Sequence, residues 1–79
     1  MTTLKIEIET VVYDQGTADE ETIKEVSCSF VDGSSTIPII YEYSLSADDY
    51  PTNGDVQAYV TSDLASKGIA WDMVEVVEI

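Results

Sequence analysis

A chain of 79 residues with sixteen Asp and Glu against three Lys and no His carries a formal net charge of −13. That balance argues against nucleic acid, phosphate groups and anionic membranes as direct partners. It also removes the ordinary neutral-pH acid–base group, histidine, and the usual oxyanion and phosphate clamp, arginine. At 44% hydrophobic residues, the chain still has the aliphatic material for one small folded domain and is not a disordered acidic tail.

Leu4 to Tyr13 alternates, with Leu4, Ile6, Ile8 and Val12 on one side and Lys5, Glu7 and Glu9 on the other. A period of two predicts a half-buried strand. Asp14 to Glu21 is polar, holds Gly16 and is expected as a loop. Ile23 to Val31 is a second strand with Val26, Cys28 and Phe30 inward and Glu25, Ser27 and Ser29 outward. Asp32-Gly33 is a turn signal, because glycine tolerates positive φ. Ile37 to Leu45 is a third strand, its inner set Ile37, Ile39, Tyr41, Tyr43 and Leu45 and its outer set Ile40 and Glu42. Pro38 cannot donate to a ladder, so it belongs at a strand start or on an edge.

Pro51 bars helix at Tyr50. A helix then follows, with Thr52 or Asn53 as cap, Asp55 in the first turn, and Val56, Tyr59, Val60 and Leu64 as its apolar stripe. Lys67 is placed in its last turn and Gly68 just beyond its end. Ile69 to Ile79 is apolar on both faces, which predicts a central or doubly covered strand. The expected fold is therefore α+β: a single β-β-β-α-β domain over residues 1–79, about four mostly antiparallel strands with one helix packed on one face. The last strand has two candidate neighbours, strand three in parallel or strand one.

Few residues have the makings of a reaction. Cys28 shares the inward face with Val26 and Phe30, and a buried thiol without a nearby base is a core residue rather than a nucleophile. Asp48, Asp49, Asn53 and Asp55 crowd one loop. Aligned with a calcium-binding loop, however, Pro51 and Val60 fall where oxygen ligands are needed, leaving only a loose surface site on Asp48, Asp49 and Asp55. Zinc has no ligand set in a monomer with one Cys and no His. No cofactor is expected, and no enzymatic activity. No secretory leader pattern and no stretch near the ~20 apolar residues of a membrane helix is present, so the expected compartment is the cytoplasm, the host's if the protein is viral.

The acidic surface is what remains. Glu7 and Glu9 are neighbours on the outer face of strand one, and same-face residues two apart lie about 6.7 Å apart. That is similar to phosphate spacing along a nucleic-acid strand, so an acidic sheet face can occupy a groove built for DNA or RNA. In size and charge the chain resembles small viral inhibitors of restriction, CRISPR or transcription machinery, a likeness of bulk properties alone. The expected function is a non-enzymatic protein-binding module. Its type is an acidic inhibitor or decoy, for example a phage-encoded one, acting on a basic surface such as that of a nucleic-acid-binding protein. The expected contact residues are Glu7, Glu9, Glu25, Glu42, Asp72 and Glu75, with Tyr13 and Tyr50 flanking. One alternative is an accessory or structural subunit, for instance of a virion, that self-associates through apolar strand surfaces such as Val11 and Ile40. Another is an acidic, salt-adapted domain whose charge is only solvation.

Overall fold

The computed structural model describes residues 1–14 and 20–79. Among them the chain forms β1 (Thr2–Asp14), β2 (Glu20–Asp32), β3 (Ser35–Ser46), α1 (Asn53–Ser66) and β4 (Met73–Glu78). The strands make one sheet in the order β3-β2-β1-β4. The β1–β2 and β2–β3 ladders are antiparallel, and β4 joins β1 in parallel. This is the expected α+β domain, and of the two neighbours open to the last strand the structure uses strand one. Of the expected loop from Asp14 to Glu21, residues 14, 20 and 21 belong to strands, and the rest lies outside the described residues.

Alternation sets the two faces. Leu4, Ile6 and Ile8 of β1 pair with Phe30, Cys28 and Val26 of β2, and all six are buried against Val56, Val60 and Leu64 of α1. Val74 and Val76 of β4 and Tyr41 and Tyr43 of β3 extend this inner face. Lys24 follows the same parity, is buried, and donates to Thr10 Oγ1 at 3.1 Å. The pattern breaks at Val12, which was expected inside but is 57% exposed. Length is the reason: a 14-residue helix spans about 21 Å, whereas a 13-residue strand runs about 43 Å. The far half of the β1–β2 ladder extends past the helix.

Local chemistry fixes the turns. The two-residue β2–β3 hairpin has Gly33 at φ +62° in its first central position, as a type II′ turn requires. Thr52 is the helix cap: its Oγ1 accepts from the Asp55 N–H at 3.1 Å, and Asp55 Oδ2 accepts from the Thr52 N–H at 3.3 Å. Lys67 is the C-cap residue itself rather than part of the last turn. Gly68 (φ +79°) donates to the Ala65 carbonyl and Ile69 to that of Leu64, which is a Schellman ending.

Three further expectations change. Ile39 is 51% exposed, not core, because β3 is irregular there: Cys28 faces Tyr41 and Phe30 faces Ile37, so β3 spends two extra residues beside Ser29. Tyr59 is 39% exposed and stands beside the buried helix stripe, not in it. The last strand is an edge, shorter than Ile69–Ile79. Val74 and Val76 pack on the core, but Met73 and Ile79 on the other face are exposed, so the second apolar set is uncovered; Ile69 and Trp71 pack on the core from the connection that precedes the strand.

Candidate functional site

The helix covers one face of the sheet, and among the described residues nothing covers the other. Parity then decides which side chains the bare face carries. Glu7 faces Ser27, and Ser27 faces Glu42; one step along the strands, Glu9 faces Glu25, which faces Ser44. Four carboxylates from three strands thus share one face around small serines, and they line a shallow depression of about 320 Å³ with Ser27, Ser44 and Ile79. Adjacent strands lie about 4.8 Å apart, so Glu7 and Glu42, two strands apart, stand about 10 Å from each other across the face.

The electrostatics of this cluster are largely uncompensated. Glu9 and Glu25 are directly opposed across the β1–β2 ladder, an arrangement that like charges normally avoid. Lys5, on the same face, reaches Glu7 at 3.9 Å. Glu75 lies on this face too, opposite Lys5 on the parallel ladder. Tyr13 donates its hydroxyl to Glu25 Oε1 at 2.9 Å. That bond, then the Glu25 charge itself, raises the Tyr13 phenol above its ordinary range. Of the expected contact residues, the structure therefore gathers Glu7, Glu9, Glu25 and Glu42, with Glu75 and Tyr13 at the margins.

Two expected members are elsewhere. Asp72 precedes β4 and is tied to the β1 start: its Oδ2 accepts from the Thr2 N–H at 2.7 Å, and its N–H donates to the Thr2 carbonyl at 2.8 Å. Its carboxylate clamps the strand pair, which accounts for its position without a partner. Tyr50 lies on the helix side of the sheet, edge-on to Tyr59 at 5.2 Å, and so does not flank the acidic face. Asp48, Asp49 and Asp55 do not converge. Asp55 serves the helix cap, and among the described residues no three acidic or thiol side chains are grouped to hold a metal ion.

The bond between Tyr43 and Asp63, 20 residues apart, had no signal in the sequence. Asp63 accepts from the Tyr43 hydroxyl at 2.7 Å and from Lys67 Nζ, and these two bonds, that to Lys67 first, hold its carboxyl below the usual range. Burial, then the bond to Asp63, pushes the Tyr43 phenol up. Burial alone pushes the Cys28 thiol up to about 11, which leaves it protonated and unreactive at neutral pH. Among the described residues no helix is long and apolar enough to cross a membrane. No protein family, curated protein or solved structure matches the chain.

Proposed function

We propose that this chain is a non-enzymatic binding module whose bare acidic sheet face docks on a basic protein surface, in the place nucleic acid would take. The observation that supports the reading is the gathering of Glu7, Glu9, Glu25 and Glu42 on the one face the helix leaves free. A face evolved only for solvation has no need to oppose Glu9 to Glu25, which costs stability. Their spacing, about 6.7 Å along a strand and about 10 Å across the face, suits the arginines and lysines of a phosphate-binding groove. A decoy that blocks a nucleic-acid-binding protein is the form of action this implies.

The test is a pull-down from lysate with the tagged chain at low salt, followed by elution with duplex DNA or RNA. Proteins released by nucleic acid, and lost when Glu7, Glu9 and Glu42 are all changed to Gln, support the reading. Retention of the same proteins by the triple variant sinks it.

A second reading has its own observation. Ile39 and Ile40 are exposed on the edge strand β3, beside an apolar recess that includes Phe30, Ile37 and Ile69. They favour self-association in a structural assembly. Sedimentation separates the two readings, since apolar association persists in high salt whereas docking by carboxylates weakens.

A further inference from the structure

On the helix side, away from the acidic face, a second recess is built from aromatic rings as well as charge. Asp55, Tyr59 and Asp63 stand four residues apart on α1, so they form one stripe along the helix with the ring between two carboxylates. Tyr50, from the β3–α1 connection, closes the recess, which holds about 520 Å³ and also includes Ser62 and Ala58. The rings are fixed in place. Tyr43 and Tyr59 meet edge-to-face with centroids 5.9 Å apart, and Tyr50 meets Tyr59 at 5.2 Å and 64°. The Tyr43 hydroxyl is in turn anchored on Asp63. Tyr59 is 39% exposed and lines the recess.

The charges of the stripe differ at its two ends. Lys67 already pairs with Asp63. Asp55 takes its described hydrogen bonds from Thr52, through a neutral N–H and a neutral hydroxyl, and both fall on Oδ2. A carboxylate has about four acceptor sites on its two oxygens, so these bonds do not exhaust it. An aromatic face next to a carboxylate that no described cation neutralises is the surround that suits a flat organic cation. Guanidinium fits better than ammonium, because it is planar, weakly hydrated and able to stack while donating at its edge.

We propose that this recess binds an arginine side chain of a partner protein, the guanidinium stacking on Tyr59 beside Tyr50 and donating to Asp55. The site is independent of the acidic sheet face and stands or falls without it. A partner that engaged both would have to wrap the molecule, with basic residues reaching opposite sides of the sheet.

The experiment is a titration of the isotope-labelled protein with N-acetyl-arginine N-methylamide, followed by NMR of the tyrosine rings at constant ionic strength. The lysine analogue and sodium chloride are the controls. Saturable shifts at Tyr50 and Tyr59, larger with arginine than with lysine, are the expected result. Tyr59→Leu should bind about two- to fivefold more weakly, and Tyr59→Phe as wild type, since it is the ring face that attracts the cation. Circular dichroism checks the fold, and Tyr50→Leu takes the place of Tyr59→Leu if the latter unfolds. Shifts reproduced by sodium chloride, shifts confined to the Glu7–Glu9 face, or undiminished binding by the leucine variant would overturn the proposal.

Discussion

Replacing Glu9 with glutamine should make the protein more stable. Glu9 is the right member of the opposed pair to change, because Glu25 accepts the Tyr13 hydroxyl and its loss would break a bond as well as remove a charge. At about 6 Å, two unit charges in water repel by roughly 0.7 kcal/mol. Glu7, two residues away on the same face at about 6.7 Å, adds about 0.6 kcal/mol. Screening over a ~10 Å Debye length at 0.1 M salt cuts the sum nearly by half, to about 0.7 kcal/mol. Measured cross-strand pairs span about 0.2–1 kcal/mol, so the estimate lies within their range. For a domain of this size that is a rise in melting temperature of about 3–6 °C. In 1 M salt the screening length falls to about 3 Å and the gain should shrink to about 1 °C. Thermal unfolding followed by circular dichroism at both salt concentrations is the assay. A Glu9→Gln variant no more stable than wild type at low salt would refute the claim that this face stores repulsion. The claim that function maintains that repulsion would go with it.

The helix cap gives a second prediction: Thr52→Ala should cost about 1 kcal/mol, read as a lower urea midpoint with an unchanged slope. The pH dependence follows from Asp63 and Tyr43. The Asp63 carboxyl is depressed in the folded state, so its contribution is complete above the ordinary carboxylate range and is lost as pH falls through the depressed value. Asp63→Asn should remove that acid-side loss in urea titrations from pH 6 to 2, and a wild-type difference that does not vary with pH would contradict it. Tyr43 is raised, so its contribution is complete below about pH 10 and fades as pH rises through the folded value; Tyr43→Phe should flatten that alkaline decline. Cys28 should resist a thiol reagent at pH 8 until the chain unfolds, with a labelling rate that rises in mild urea. Fast labelling of the folded protein would show the thiol to be accessible.

The fold was legible where a side chain's neighbours along the chain determine its fate. Leu4, Ile6 and Ile8, and Val26, Cys28 and Phe30, went to the core because alternation leaves them no other side. Thr52, one of two cap candidates with Asn53, and Gly68 marked the helix ends by chemistry confined to one turn. Legibility failed where an outcome depends on lengths or on distant partners. Val12 has the parity of a core residue, yet only the difference in reach between helix and strand shows that nothing covers it. Ile39 obeys the pattern of β3, but the irregularity beside Ser29 carries it out. Tyr50 and Asp72 looked like free surface residues because their partners, Tyr59 and the Thr2 N–H, are not written next to them. The acidic cluster lies between these cases. Glu7 and Glu9 were adjacent by strand geometry alone, whereas the places of Glu25 and Glu42 beside them depended on the registers of two ladders.

The parallel pairing of β4 with β1 has a consequence in time. The β1–β2–β3 meander closes through neighbouring segments, but the Thr2–Asp72 clamp joins residues 70 apart. Loop-closure entropy therefore favours a sequence of events in which the meander and α1 collapse first and β4 docks late. Until it docks, the β1 edge and the flank of the core beneath Val74 and Val76 stay open. Substitutions in β4, such as Val76→Ala, should then speed unfolding and leave the folding rate almost unchanged. Stopped-flow chevrons measure this directly, and a slowed folding arm would show that the last strand belongs to the nucleus.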